Sequence, residues 1–329
     1  MKKILGIGNA LVDALYQITD ETLLDEMRLP KGSMQLIDTE RYTDIRQRMK
    51  NQPVKLATGG SACNTILALA NLGMETALIG KIADDEPGRF FENKFLRLGT
   101  RTYLQHEDLP TGVASTFITP DGQRTFGTYL GAAACLSPED LQWEWPGEYD
   151  YLYIEGYLVQ NHALIEQAVN MAREAGCRVC LDLASYNIVE AEHDFFTRLL
   201  KKTDMVFANE EEARALTGKS PREALDELAA TCEVAVVKTG AEGAMARSRD
   251  EDATAVAAVP VSHVTDTTAA GDFFAAGFLC AHANRRPLKD CLRAGTLVAA
   301  EVIQIVGTQL TGETWAGLRA LPELQCQTM

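Results

Sequence analysis

Short aliphatic runs alternate with longer segments of helical periodicity along most of this chain. The runs "KILGIGNA", "TALIGKIA", "YDYLYIEG", "CRVCLDL", "DMVFANE" and "VAVVKTG" are aliphatic or β-branched, and each closes on a glycine or polar residue. Between them lie "NTILALANLG", "PGRFFENKFLRLG", "HALIEQAVNMAREAG", "EEARALTG" and "PREALDELAATC", which read as helices. Strands alternating with helices predict an α/β domain with a parallel sheet covered on both faces. Binding sites on such sheets lie beyond the carboxyl ends of the strands.

Two stretches break the rhythm. From about 14 to 37 and from about 100 to 130 the pattern is strand-like without intervening helices, and "TGVASTFITPDGQRTFGTYLG" reads as a hairpin turning at Asp121-Gly122. A small β-sheet inserted into the α/β domain is expected there, a flap able to close over a pocket and exclude water. Merely decorative edge strands are the plainer alternative. No internal repeat or low-complexity tract divides residues 1–329, which are read as one domain.

Composition narrows the function classes. Of 329 residues 46% are hydrophobic, enough for a sizeable buried core, and the formal net charge is −15. With its basic residues scattered, the chain is expected to bind neither nucleic acid nor an anionic membrane surface. No run reaches the ~20 apolar residues of a membrane helix. The opening "MKKILGIGNALVDALY" is interrupted by glycine, asparagine and aspartate, so it reads as a first strand rather than a signal peptide, and the expected address is the cytoplasm. Cys177 and Cys180 form a C-x-x-C in "AGCRVCLDL" without a helix start or a second pair, and are expected as buried strand positions.

Two nucleotide-binding signatures fail on inspection. Gly6 and Gly8 follow a strand, but Leu11 stands where a dinucleotide fingerprint needs its third glycine. "TGKS" ends like a P-loop, but Ala213 occupies the first glycine position, and Gly218 reads better as a helix C-cap with Pro221 opening the next helix.

A third stretch, "HVTDTTAAGDFFAAGFL", carries more. A strand-like "VPVSHVTD" leads into Thr267-Thr268-Ala269-Ala270-Gly271, and Asp272 falls in the first turn of an apolar helix. Small residues at a helix start leave accessible N–H groups that, with the helix dipole, form an anion site suited to a transferring phosphoryl group. Asp272 is either a first-turn helix acid or a base that takes a proton from an attacking hydroxyl. Upstream, Gly59-Gly60 before Ser61 and Asn64 lets a ligand touch backbone, and Asp13, following Gly8-Asn9, offers a carboxylate to vicinal hydroxyls. Asn209 and Glu212 sit at a strand end and helix start, where they either face a phosphate and metal cluster or form a solvated helix start. Thr239, Gly240 and Gly243 form either a turn or a surface for nucleotide phosphates.

Together these segments resemble the ribokinase-like (PfkB-type) family of carbohydrate and nucleoside kinases over nearly the whole chain. Its signature D-T-x-G/A-A-G-D matches Asp266 to Asp272, and its G-G-x-x-x-N matches Gly59 to Asn64. The resemblance implies a three-layer αβα sandwich with a mainly parallel sheet and a small β-sheet lid. It implies Asp272 as catalytic base and the backbone of Ala269, Ala270 and Gly271 as anion hole. Asn9, Asp13, Gly59, Gly60 and Asn64 would hold the substrate. ATP would meet Asn209, Thr239, Gly240, Gly243 and Gly271, with Mg²⁺ near Glu212 through water and K⁺ beside Asp266 and Thr268. In detail "GIGNALVD", "GTYLGAA" and "LDLASYNIVE" are most similar to adenosine kinases, although Ala10 replaces their opening proline. Adenosine is therefore the expected substrate. A sugar kinase acting on ribose, fructose or a keto-deoxy sugar acid is the alternative, an acid requiring Arg124 or Arg101. A non-catalytic nucleoside sensor is the second alternative. Either a monomer or a lid-mediated homodimer is implied.

Overall fold

The computed structural model describes residues 2–325. Its strands in chain order are β1 (Lys3–Ile7), β2 (Leu11–Gln17), β3 (Met34–Leu36), β4 (Lys55–Gly59), β5 (Glu75–Ile82), β6 (Arg101–His106), β7 (Gly112–Ile118), β8 (Arg124–Tyr129), β9 (Tyr151–Glu155), β10 (Arg178–Asp182), β11 (Met205–Asn209), β12 (Val234–Lys238), β13 (Ala244–Ser248) and β14 (Thr254–Val256). They form a nine-stranded sheet in the order β14-β13-β12-β11-β10-β9-β1-β5-β6 and a five-stranded sheet in the order β3-β8-β7-β2-β4. From β6 to β12 every neighbour in the large sheet is parallel; β13 and β14 add antiparallel pairs at one edge.

Alternation along each strand divides the core between the two faces of this sheet. Ile4, Leu78, Tyr153, Phe207 and Val236 pack into one cluster with the helices Ser61–Asn71, Ala270–Ala283 and Leu288–Val302. Leu5, Ile7, Ile79, Leu152, Leu181 and Val237 pack into a second cluster with helices that include His162–Glu174 and Pro221–Thr231. The chain is therefore a three-layer αβα sandwich with a smaller second sheet. The strand order also reverses at β1, whose neighbours β5 and β9 lead the chain in opposite directions, and such a reversal leaves a crevice at the strands' carboxyl ends.

All six of the apolar runs and all five of the helical segments appear where the pattern places them. The hairpin is β7–β8, paired from Val113↔Tyr129 to Ile118↔Arg124, with Gly122 at φ 80 in its turn. Three expectations need correction. Arg101–His106, counted with the flap between 100 and 130, pairs with β5 in the large sheet, because it follows the Glu86–Arg97 helix and completes a βαβ crossover. The stretch 14–37 supplies most of β2 and all of β3 to the small sheet but also contains a short helix, Thr22–Glu26, and the sheet takes a further strand, β4, from Lys55–Gly59. "VPVSHVTD" is not a strand: the Thr265 and Asp266 amides donate to the Ile303 carbonyl, at 2.8 and 3.2 Å, so the segment is held by a helix end.

Both cysteines of the C-x-x-C are buried as expected, Cys180 on β10 at 0% exposed and Cys177 just before the strand at 2%. Gly218 ends its helix at φ 69 and Pro221 opens the next. Among the described residues no helix is long and apolar enough to cross a membrane.

Candidate active site

The helix Ala270–Ala283 begins abruptly. Ala269 at its N-cap has φ 61, a left-handed conformation costing a non-glycine residue about 1 kcal/mol, and no side chain caps the helix. Among the described residues the Gly271 and Asp272 amides have no acceptor, which leaves donors and the positive end of the helix dipole facing the crevice. Asp272 is fixed at this opening. Ser61 Oγ donates to its Oδ1 at 2.7 Å, Asn64 Nδ2 donates to its Oδ2 at 3.0 Å, and Thr65 Oγ1 donates to its carbonyl at 3.2 Å. Burial pushes its pKa up to about 7; the Ser61 and Asn64 hydrogen bonds oppose this, while the charge of Asp182 adds to it. A carboxyl in that range exchanges a proton readily near neutral pH.

Ser61 and Asn64 reach Asp272 because their helix starts at a diglycine. A Cβ on Gly60 would lie 2.0 Å from the Asn9 carbonyl oxygen, and Gly60 also has φ 93, so only glycine fits there. A Cβ on Gly59 would collide with the Asp13 carboxylate, which packs against this backbone from β2. The Asp13 carboxylate accepts no hydrogen bond among the described residues. Burial, then Asp266, raises its pKa to about 7, against the pull of Arg124. Asn64 is 5% exposed, and its Oδ1 is buried without a partner. A buried acceptor left unpaired costs free energy, so Asn64 Oδ1 and Asp13 are both poised for donors that a polyhydroxy ligand carries. Asn9 is held differently. Its backbone N donates to Glu155 Oε1 at 2.9 Å and its Nδ2 donates to the same oxygen at 2.5 Å, while the Ala62 amide donates to Glu155 Oε2 at 2.9 Å. Buried Glu155 thus ties the end of β1 to the start of the Ser61–Asn71 helix.

Farther along the same edge, Asn209 and Glu212 form a reciprocal helix cap: Glu212 N donates to Asn209 Oδ1 at 2.8 Å, and Asn209 N and Nδ2 both donate to Glu212, at 2.7 Å each. The Asn209 side chain is therefore engaged with its own helix. Glu212 is 3% exposed, and burial pushes its pKa up to about 7, opposed first by Lys238. Lys238 Nζ donates to Asp182 Oδ2 at 3.0 Å and lies 3.1 Å from where a Gly271 Cβ would stand, placing an ammonium beside the open helix start. Burial works against that charge, but Asp182 and Glu212 outweigh it and hold the Lys238 pKa above its usual value. Thr239 and Gly240 form a tight turn after β12, with Thr239 N donating to the Gly243 carbonyl at 2.8 Å. Gly243 is glycine for packing, because a Cβ there would lie 2.0 Å from the Val256 carbonyl of β14.

Asp266, 6% exposed, accepts from the Gly307 amide at 2.9 Å and from the Thr268 amide at 3.0 Å, and it forms an ion pair with Arg124 of β8. Arg124 Nη1 also reaches Thr268 Oγ1 at 3.4 Å. The cation facing Asp266 in this structure is thus a guanidinium from the small sheet. The structure brings Asp13, Gly59, Gly60, Asn64, Asp266 and the 269–272 turn together, and adds Ser61, Glu155, Asp182 and Lys238, which the motifs did not single out. Arg101 lies elsewhere, paired with Glu148 at the start of β6.

Residues 31–315 match the model of the pfkB family carbohydrate kinases. The chain belongs to the pfkB family. Mouse ribokinase is 28% identical over 282 residues, covering 82% of this chain and 86% of that protein. The solved structure of adenosine kinase from Sinorhizobium meliloti is similar at 34% identity with a TM-score of 0.86, covering 97% of this chain and 99% of that one. A probable sugar kinase from Rhizobium etli CFN 42 is similar at 34% identity with a TM-score of 0.85, over 96% and 99% of the two chains. As a pfkB kinase the protein is a phosphotransferase with an alcohol acceptor.

Proposed function

We propose that this pfkB kinase transfers the γ-phosphoryl group of ATP to the 5′-hydroxymethyl group of a nucleoside, adenosine foremost, giving AMP and ADP. The observation that carries the reading is Asp272, gripped by Ser61 and Asn64 at an uncapped helix start with Lys238 behind it. In its ionised form Asp272 accepts the hydroxyl proton as that oxygen bonds to the γ-phosphorus and the bond to the ADP oxygen breaks. Amides of Gly271 and Asp272, presented by the left-handed Ala269, stabilise the charge on the transferring group, while the Ala270 amide, also expected in the anion hole, donates to the Thr267 carbonyl at 3.2 Å. Asp13 and Asn64 Oδ1 accept from ribose hydroxyls, while Gly59 and Gly60 admit the sugar to backbone contact and Asn9, held by Glu155, fixes that backbone. The triphosphate lies along Gly271, Thr239, Gly240 and the Asn209 turn.

Family members use ATP with Mg²⁺, and the residues present fit that ion. Mg²⁺ is commonly bound by one or two carboxylates together with substrate phosphates and water. Asp182 and Glu212, 4% and 3% exposed, would hold it through water, and it would supply neutralisation of phosphate charge. K⁺ beside Asp266 and Thr268 would have to share that carboxylate with Arg124.

Charge supports one substrate class over the other. Asp13, Glu155, Asp182, Glu212, Asp266 and Asp272 crowd the crevice, and its two cations are already paired, Arg124 with Asp266 and Lys238 with Asp182. Such a field repels a sugar acid and favours a neutral polyol. The similarity to an enzyme named adenosine kinase points among neutral polyols to a nucleoside. The small sheet would act as the lid. Its edge strand β3 exposes Met34 and Leu36 at 54% and 60%, which suits a lid-to-lid homodimer that sedimentation would detect.

The test is an ADP-release assay with ATP, Mg²⁺ and K⁺ against adenosine, other nucleosides, ribose, fructose and 2-keto-3-deoxygluconate, with products identified by mass. Saturable phosphorylation of adenosine at low concentration is expected. Phosphorylation of a sugar alone would overturn the nucleoside assignment, and no product with any acceptor would favour a non-catalytic sensor.

A further inference from the structure

The opposite edge of the large sheet carries a second cleft, of about 550 Å³, at the amino ends of β1, β9 and β10 and the carboxyl end of the Ala270–Ala283 helix. Fourteen residues of helix, roughly 21 Å at 1.5 Å per residue, separate it from the uncapped start beside Asp272. Its charge is opposite to that of the active site. Lys2, Arg178, Arg285 and Arg286 line it with one carboxylate, Asp150, which pairs with Lys2, while Arg178 also reaches Glu233 at 3.5 Å, in a chain whose formal net charge is −15.

Neutralising the carboxyl end of one helix does not account for this arrangement. Lys2 precedes β1 and Arg178 opens β10, so neither comes from the helix. Arg285 adopts φ 60, a left-handed conformation that glycine would take without strain just past a helix end, and its guanidinium has no acceptor among the described residues. Arg286 pairs with Asp290 at 3.2 Å, but its Nε is buried without a partner. Burial, reinforced by the charge of Arg178, depresses the His282 pKa to about 4, so this ring stays neutral at pH 7, where its Nδ1 lies 3.2 Å from the Tyr151 hydroxyl. Arginines with unfilled donors on the wall of an open, polar cleft match phosphate oxygens in charge and geometry. The volume admits a molecule of nucleotide size.

We propose that this cleft is a second, non-catalytic binding site for a phosphate-bearing small molecule, held by Arg178, Arg285, Arg286 and Lys2. The proposal does not depend on which alcohol the kinase phosphorylates. Two variants separate the sites: Gly271→Glu places a carboxylate in the anion hole, and Arg285→Glu reverses a charge in the cleft. Equilibrium dialysis of the full chain against labelled pyrophosphate and, separately, AMP is expected to reveal saturable binding that survives Gly271→Glu. That binding should weaken about ten-fold or more in Arg285→Glu, a change of the size that losing a charge-assisted contact brings. Lys2→Glu, at an exposed position before β1, should weaken it in the same direction and serves if Arg285→Glu does not fold. Tighter binding of AMP identifies a nucleotide as the occupant, and tighter binding of pyrophosphate identifies the inorganic anion; both support the site. Binding abolished by Gly271→Glu, or unchanged in both cleft variants, would overturn it.

Discussion

Replacing Asp272 with asparagine tests the proposed chemistry most directly, because the substitution keeps the shape of the side chain. The introduced carboxamide oxygen can still accept from Ser61, and the group fills the same space as the carboxyl. What the variant loses is the ability to take a proton. A positioned general base contributes about 10²–10⁴-fold in rate, or roughly 3–5 kcal/mol of transition-state stabilisation, so kcat should fall by that factor while the KM for the acceptor stays within a few-fold. Because burial raises the Asp272 pKa to about 7, wild-type kcat at saturating acceptor should rise with pH through an ionisation limb that the variant lacks, whereas the limb that Asp13 gives to kcat/KM should remain. Stability moves the other way. A carboxyl raised from 3.8 to about 7 favours its neutral form by roughly 4 kcal/mol, so its contribution is intact below pH 4 and is lost as pH rises toward 7. At pH 8 the asparagine variant should therefore melt a few degrees above wild type, and the difference should vanish near pH 4. An ADP-release assay across pH 5.5–9 and calorimetry at the two extremes measure both effects. Turnover within ten-fold of wild type, or an unchanged pH limb in the variant, would remove Asp272 from the base role.

Other substitutions probe the rest of the site. Asp13→Asn, which removes a charged acceptor from the hydroxyls, should raise the acceptor KM about 10–100-fold with a much smaller effect on kcat; an unchanged KM would place the sugar elsewhere. Gly60→Ala puts a Cβ 2.0 Å from a backbone oxygen at φ 93, and a loss of more than about 2 kcal/mol in denaturant unfolding is expected; unaltered stability would contradict that close approach. Lys238→Met leaves Asp182 and Glu212 without their cation, which should cost about 3–5 kcal/mol of stability and lower kcat at saturating acceptor. Wild-type turnover in that variant would make the ion pair purely structural.

Much of the large sheet was legible because buried parallel strands read as unbroken aliphatic runs, as in "VAVVK" and "YLYIE". The short elements were not: β14 has three residues at a sheet edge, and β4, "KLATG", is nearly half polar and runs directly into the diglycine. At the site, the glycines and Asp272 stood out because small residues beside an acid at a helix start are unusual. The partners of Asp272 lie 208 and 211 positions away in sequence, and no local pattern reports a contact of that separation. A usable signal for the missed residues did exist. Glu155, Asp182, Asn209 and Lys238 are each the last residue of a buried strand, in four neighbouring strands. A polar or charged residue closing an apolar run is costly in a core and natural at a crevice.

That same placement explains why the crevice is acidic and what binding should do to it. Two strand ends carrying Glu155 and Asp182, two helix starts carrying Glu212 and Asp272, β2 with Asp13 and the loop with Asp266 bring six carboxylates together, and burial first, then their neighbours' charges, drives Asp13, Asp272 and Glu212 toward their neutral forms. Each acid is tolerated because the scaffold around it is rigid: Glu155 holds three N–H groups, Glu212 is locked in a helix cap, and Asp266 is anchored by two amides and Arg124. Asp13 and Asp272 differ, since their remaining lone pairs face the space where an acceptor alcohol would lie. Donors from that alcohol lower the cost of ionising them, so substrate should bind more tightly as Asp13 ionises, and bound substrate should in turn depress its pKa by the reciprocity of linked equilibria.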